Sequence, residues 1–435
     1  MKLIIGSTTY TKIRNVRFSP ECDITCASLP INEFTADIQS ATDPVLSSDG
    51  YAELRDEQNT LFARYYVRSL LKVAEGLYRL KAVSPLKLLE KKKVPAVMYS
   101  ATIAGDELSR LCTLCGLQSG EFGISTDVAN LTVAGYCPEQ TVRERVLHIC
   151  MAIGARVRSF GFDRVLISAW DDTVSIIPPE DTYRRPEPAY RDFIPAVKAK
   201  AYTFTEGTPQ QGDTSVEADG HTYIVTAQES SLSLVPGVTG TTDNAVDVSS
   251  CMLINSSNVD DVLSRLSKYY FYYLQVQAAI LNNGTHWPGD KLTVGIGPNR
   301  LITGYVQRAD FAFGVQAKST LTLVGCTSAA AIKLTVKYVW DGINLGKRVY
   351  YFPANYSYSI ANPFLDKKMN GHRYIFRPTT ASATGTLTEP TTVTVQYSVA
   401  LDAYKNEQGK RILHVLSVDS LTESTVGTAA VVAIG

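Results

Sequence analysis

The sequence predicts a mainly β chain with an α/β insert: β segments flank a short stretch of alternating helices and strands, and a further β-rich segment follows at the C-terminus. Three observations carry this reading. Residues 61–73, LFARYYVRSLLKV, alternate with period two: one parity holds Leu61, Ala63, Tyr65, Val67, Leu71 and Val73, the other Arg64, Arg68 and Lys72. Between residues 84 and 185 the apolar spacing becomes helical, with glycine stops. From about residue 183 onward short alternating runs return, separated by Gly and Pro.

Taken in order, residues 1–83 read as strands, broken by the turn-like ATDPVLSSDG at 41–50, with a further strand at 76–83. Ser84-Pro85 before LKLLEKKK is a helix start, with Ser at the N-cap and Pro at the first helical position. In DELSRLCTLC, 106–115, Leu108, Leu111, Cys112 and Cys115 share a face and Gly116 is the stop. A third helix over about 139–153 follows Pro138, with Val142, Val146, Ile149, Cys150 and Ile153 as its stripe and Gly154 at its end. Strands at 155–159, 164–169 and 173–177 close this segment at Pro178-Pro179. AVKAKAYTFTE and HTYIVTAQ alternate on either side of a polar loop at 207–220. Residues 259–269 read as a helix with Asn258 as N-cap, and 270–280 as helix giving way to strand. Residues 290–296 and 301–324 complete a set of closely spaced strands, a pattern of barrels and sandwiches. From 327 the chain opens with AAAIKLTVKYVW after two residues and stays strand-rich.

With 435 residues, 45% hydrophobic and 19% charged, the chain can bury sizeable cores, which excludes wholesale disorder. Its 42 basic and 42 acidic side chains cancel, so the electrostatic footprint of a general nucleic-acid binder is missing. No apolar run reaches the length of about 18 residues expected of a membrane-spanning helix. Leu3–Ile5 is too short for a signal-peptide core, so the eight cysteines are expected as thiols made in a reducing cytoplasm. There is no solenoid repeat. Tyr outnumbers Phe, 24 to 14, which suits strands and half-wet interfaces.

The chemistry-bearing residues have bland readings close at hand. Cys112-x-x-Cys115 and Cys22-x-x-x-Cys26 hold enough thiolates for zinc. Yet the first pair sits on the apolar stripe of its helix and the second shares a strand parity with Ile24, so core packing is expected of both. Cys137, Cys150, Cys251 and Cys326 have no ligand spacing. Ser84-Pro85-Leu86-Lys87 fits S-x-x-K, a loose pattern, and Ser84 already has a capping role. Gly295-Ile296-Gly297 is followed by Arg300 where a dinucleotide fingerprint needs Gly, and it lies between strands. No G-x-S-x-G and no P-loop occur. Asp171-Asp172 and Glu180-Asp181 read as acidic turns before a glycosidase pair. His148, His221, His286, His372 and His414 are dispersed, and a surface role is expected, His148 lying beside Glu144 on the polar flank of its helix. Lys91–Lys93 is a solvated run at a helix end. No catalytic, cofactor-binding or metal-ligating residue is therefore expected, and the chain is not read as an enzyme.

The order of elements is more telling than any motif. FARYYVRSLLKVAEGLYRLKAVSPLKLLEKKKVPAVMYSATIAGDELSRLC, followed later by TVRERVLHICMAIGARVRSFGFDRVLISAWDDTVSIIPPEDTYRRP, resembles the baseplate hub (tail hub) family of tailed phages and phage-tail-like contractile particles, over roughly residues 1–325. The likeness lies in a strand pair tied by a glycine turn, a Ser-Pro helix start, a "Y-S" strand with a short helix, and a helix ending in "IGA" that feeds strands closing at "IPP". The resemblance implies two small β-barrel domains, 1–83 and 186–326, around an α/β segment, 84–185. It implies a homotrimer whose ring joins the tail tube, or tube-initiator proteins, to a central spike, beside baseplate wedge proteins. Its channel would be used by the tape-measure protein and by DNA, which passes without specific binding. A location in the tail of a virion or tailocin, after assembly in the bacterial cytoplasm, follows.

Residues 333–400, from LTVKYVWDGINLGKRVYYFPANYSYSIANP to TVTVQYSV, are similar to mucin-binding-like modules of bacterial adhesins, through a D-G turn, a "G-x-x-Y" strand and an "A-T-G-T" loop. Residues 327–435 are accordingly expected to form a C-terminal β-rich decorating domain. The alternative function is a tail-tip or receptor-binding component that contacts host-surface glycans through this domain, where solvent-facing Tyr and Trp would stack on sugars.

Overall fold

The computed structural model describes residues 1–44, 50–56, 59, 61–118, 120–160, 164–170, 172–177, 181–192, 194–236, 244–281, 285–297, 300–313, 317–328, 332–369, 372–405 and 411–416. The chain is mainly β with an α/β insert, as the patterning predicts. It divides into two compact units, Met1–Val294 with Ile302–Cys326, and Thr327–Gly435 with Gly295–Leu301.

The first unit opens with seven antiparallel strands: β1 (Lys2–Ile5), β2 (Thr8–Tyr10), β3 (Ile13–Phe18), β4 (Glu33–Gln39), β5 (Tyr51–Arg55), β6 (Leu61–Ala74) and β7 (Leu77–Val83). They lie in the order β3-β4-β7-β6-β5-β1-β2. β6 is the run whose alternation is plainest in the sequence, but its register skips between Val67 and Ser69 and again between Lys72 and Ala74. The first bulge reverses the parity. Leu70 now pairs with Leu80, and Leu71 and Val73, expected inside, are 51% and 49% exposed.

The insert begins with a 3-10 helix, Pro85–Glu90, which starts where expected, with Ser84 at the N-cap position and Pro85 first. Ser84 precedes it, but its hydroxyl accepts from the Asn32 backbone N–H at 3.3 Å and caps nothing. Next come β8 (Lys93–Val94), β9 (Val97–Ile103), α1 (Ala104–Leu114), β10 (Phe122–Ile124), α2 (Thr126–Ala129), β11 (Thr132–Cys137), β12 (Gln140–Thr141), α3 (Val142–Ile153), β13 (Ala155–Phe160) and β14 (Arg164–Ala169). α3 starts at Val142, with its apolar stripe, and not at about 139, because Thr141 and Glu144 close a capping box and Gln140–Thr141 pair with β8. Gly154 ends it in the left-handed region, φ 76°.

From there to Ser328 the chain forms β15 (Val174–Ile176), β16 (Thr182–Tyr190), β17 (Ala196–Glu206), β18 (Ser215–Ala218), β19 (His221–Leu234), β20 (Val246–Asp247), α4 (Val259–Tyr270), β21 (Leu274–Leu281), β22 (Lys291–Gly297), β23 (Arg300–Phe313) and β24 (Ala317–Ser328). β16-β21-β24-β23, with β22 beside β23 and β15 beside β22, join β3 through the Phe18–Phe311 register, so thirteen strands make one continuous sheet. The edge strand β16 carries Pro186 and Pro188, which have no N–H to offer a further strand. β17–β20 form a separate four-stranded sheet. Its Val197 and Ala199 share one core with Leu111, Cys112, Ile149 and Cys150 of the insert and Val262 and Leu266 of α4. Asn258 stands at the N-cap of α4 as expected, but its side-chain oxygen accepts from the Asn255 N–H.

The second unit holds β25 (Ile332–Trp340), β26 (Ile343–Phe352), β27 (Tyr356–Ala361), β28 (Leu365–Met369), β29 (His372–Pro378), β30 (Ser382–Leu387), β31 (Thr391–Lys405) and β32 (Arg411–Leu416). Asp341 and Gly342, both at positive φ, form the D-G hairpin turn. Tyr338, Trp340, Phe376 and Tyr397 pack together inside, so Tyr338 and Trp340 present no ring to solvent. Among the described residues no helix is long and apolar enough to cross a membrane.

Candidate functional site

All eight cysteines are free, and seven of them are buried, Cys326 being half buried. Desolvation pushes the thiols of Cys22, Cys112, Cys137 and Cys251 up to about 12, and a contact with Cys150, followed by burial, raises Cys26. Cys22 donates to the Val157 carbonyl at 3.6 Å and Cys26 to the Ala155 carbonyl at 3.2 Å. Among the described residues no group of His, Cys, Asp or Glu could hold a metal ion. Ser84 is buried, and Lys87 pairs with Glu90. Asp171 and Glu180 lie outside the described residues, as do the side chains of His372 and His414. His148 is half buried, against the expected surface role, and its Nδ1 is 3.4 Å from Gln140 Nε2; burial lowers its pKa. His286 is also half buried and lowered by burial, whereas His221 is exposed beside Glu206. Lys91–Lys93 are exposed as expected.

Asp172 leads to the most developed site. It stands on the rim of a cleft of about 620 Å³ between the end of β14, the C-terminal turn of α4, and strands β22 and β23. Asp172 Oδ1 accepts from Lys291 Nζ at 2.7 Å and from the Tyr305 hydroxyl at 2.5 Å. These bonds hold the Asp172 carboxyl below its ordinary pKa. Burial opposes the charge on Lys291, but Asp172 and Tyr272 more than reverse it, and its pKa rises. Burial and then Asp172 raise Tyr305. Both partners of the pair are therefore fixed in their charged forms, which suits ion recognition and not proton transfer near neutral pH.

Aromatic rings build the walls of this cleft. Trp170 meets Tyr269 and Tyr305 edge to face at 6.2 and 6.1 Å, and Tyr272 meets Tyr305 at 5.8 Å. Cations sit over three of these rings: Arg265 over Trp170 at 5.9 Å, Lys291 over Tyr305 at 5.2 Å and Arg191 over Tyr269 at 5.4 Å. Asp172 was singled out in the sequence; Trp170, Arg265, Lys291 and Tyr305 were not. The signal available was the KYYFYYL run at 268–274, too many aromatic residues in a row for one helix face.

Buried arginines are the other feature that sequence reasoning missed. Arg156 and Arg158, two apart on β13, both reach the loop before β22. Arg156 donates to the Gly289 carbonyl and Arg158 to Asp290 Oδ1 at 2.6 Å. Arg145 of α3 donates to the carbonyls of Pro95 and Pro138 at 2.7 and 2.8 Å. The contacts of Arg156 and Arg158 tie the insert to the loop before β22, and those of Arg145 hold α3 within the insert.

No family model and no curated protein matches this sequence. Among solved structures, the 43 kDa tail protein of prophage MuSo2 from Shewanella oneidensis aligns with a TM-score of 0.48 and 10% identity over 74% of this chain and 95% of that one. The prophage tail protein gp18 from Listeria monocytogenes EGD-e aligns at 0.47 and 8% over 74% and 94%. The fold of this chain is similar to that of the tail protein from Neisseria meningitidis MC58, with a TM-score of 0.51 and 12% identity over 75% of this chain and 95% of that one.

Proposed function

We propose that the chain is a structural component of a phage tail or phage-tail-like particle and serves as its baseplate hub. In this reading three copies form a ring that joins the tail tube to the central spike and leaves a channel open. The observation that carries it is the likeness to nearly the whole length of the Neisseria tail protein. The sequence resemblance over residues 1–325 supports the same reading. The thirteen-stranded sheet supplies what a ring subunit needs, since broad rigid faces bury the large areas that obligate assemblies require. The reading is non-enzymatic, and Asp172 serves recognition in it. Residues 1–83, 84–185 and 186–326 are proposed as the two barrel modules and the segment between them, with 327–435 as a decorating domain. Glycan contact by that last domain is the weaker alternative, because Tyr338 and Trp340 are packed inside it.

Mass photometry on the purified full-length chain tests the ring. The expected particle has three times the 47.6 kDa chain mass. A monomer that persists at micromolar concentration, and that neither tube nor spike proteins of the same particle retain, would overturn the proposal.

A further inference from the structure

We infer that the Asp172–Lys291–Tyr305 cleft is a docking site for an acidic, apolar-flanked peptide segment of a partner protein. Its lining holds three cations, Arg265, Lys268 and Lys291, against one described carboxylate, Asp172. That carboxylate already receives Lys291 and Tyr305 on one oxygen. Arg265 donates through Nη2 to the Met151 carbonyl at 2.7 Å, while its Nε is buried without a partner. The guanidinium lies close against the end of α3, where a Cβ on Gly154 would come within 2.1 Å of Arg265 Nη1. Lys268 is exposed in the last turn of α4 and adds charge at the mouth.

Beside these cations the surface is apolar. Pro236, Phe271 and Tyr272 line the cleft, and Phe271 is 39% exposed. Outside it Tyr190, 83% exposed, stacks on Tyr273 at 6.3 Å. A carboxylate side chain next to an aromatic or aliphatic one matches this pairing of charge and surface.

The ring geometry selects a peptide over a saccharide or single-stranded nucleic acid. Those ligands need open ring faces on which to stack. Here the rings turn edges to one another, and Arg265, Lys291 and Arg191 cover faces of Trp170, Tyr305 and Tyr269. The inference deepens the assembly reading by naming the chemistry of one partner, and its test is independent of the oligomeric state.

The experiment is fluorescence anisotropy on the full-length chain at low salt, with a labelled octapeptide alternating Glu and Phe. An octapeptide alternating Lys and Phe, a short oligothymidylate and an oligoglucuronate serve as comparators. The acidic peptide is expected to saturate, to weaken with added salt, and to lose about tenfold in affinity, or about 1.4 kcal/mol, in Lys268→Glu. Lys268 is exposed, so that variant keeps its fold, checked by circular dichroism; Arg265→Gln is expected to lose at least as much. Absence of saturable binding, affinity unchanged in Lys268→Glu, or equal binding of the basic peptide, oligothymidylate or oligoglucuronate would each overturn the inference.

Discussion

Gly304 of β23 and Gly325 of β24 face each other so closely that neither position has room for a side chain. A Cβ at 304 would lie 2.1 Å from the Val324 carbonyl oxygen, and one at 325 would lie 2.4 Å from that of Thr303. Both residues are buried. Close backbone approach is the reason for glycine here, in the middle of a sheet where glycine is otherwise unfavourable.

Gly304→Ala and Gly325→Ala should therefore each destabilise the chain by about 1–3 kcal/mol or more, through overpacking against backbone that cannot give way. Gly207→Ala is the control, because its nearest neighbour would be Ile224 Cδ1 at 3.7 Å. Urea denaturation of the three variants reads the difference, and equal midpoints would refute the steric account.

The buried arginines of β13 should act as ties between the insert and the loop before β22. Arg156→Met leaves the Gly289 carbonyl without its guanidinium donor, and Arg158→Met leaves Asp290 without its cation. Each is expected to cost roughly 1–3 kcal/mol. Cleavage by protease should also begin near residues 285–290. Wild-type digestion kinetics at that loop would count against the role.

Acid should weaken this protein through identifiable carboxylates. Arg79 first, and Asn15 after the opposing effect of burial, lower the pKa of Asp37. Burial raises that of Glu107, but Arg110 and Tyr99 reverse this to a net lowering. A carboxylate with a depressed folded pKa binds fewer protons folded than unfolded. Its stabilisation is present above the ordinary carboxylate range and is lost as pH falls through the folded value. Thermal melts from pH 7 down to pH 3 should show a falling Tm below about pH 4.5, with a shallower fall in Asp37→Asn. Parallel slopes for the two proteins would rule Asp37 out as a contributor.

Thiol chemistry should be nearly silent in the folded state. At pH 8 a disulfide reagent is expected to modify Cys326 first, since it is the one cysteine that is not fully buried. Cys22, Cys112, Cys137 and Cys251, raised to about 12 by desolvation, should react once denaturant is added. A chelator should leave Tm unchanged. Rapid modification of several thiols in the native protein would contradict this burial.

The sequence carries the elements well, because each rests on a local period. α1, α3 and α4 follow their apolar stripes, and most long strands follow their alternation. What the periods do not carry is register. The bulge at Val67/Ser69 has no mark in the sequence, and it sends Leu71 and Val73 outward. Local pattern also assigns charged residues to the surface, yet Arg156 is buried because a carbonyl 133 positions away accepts from it. The cleft was hidden for the same reason: Trp170, Arg265, Lys291 and Tyr305 come from four separate stretches of the chain, and folding alone brings them together. Asp172 was visible as part of an acidic pair, but its ion-pair partner was not.

Pro186 and Pro188 bear on how far this sheet can grow at its edge. At those two positions the terminal strand cannot donate hydrogen bonds, so an incoming strand would meet an interrupted ladder along that border. Strand-on-strand growth, which has no natural stopping point, is thereby disfavoured there.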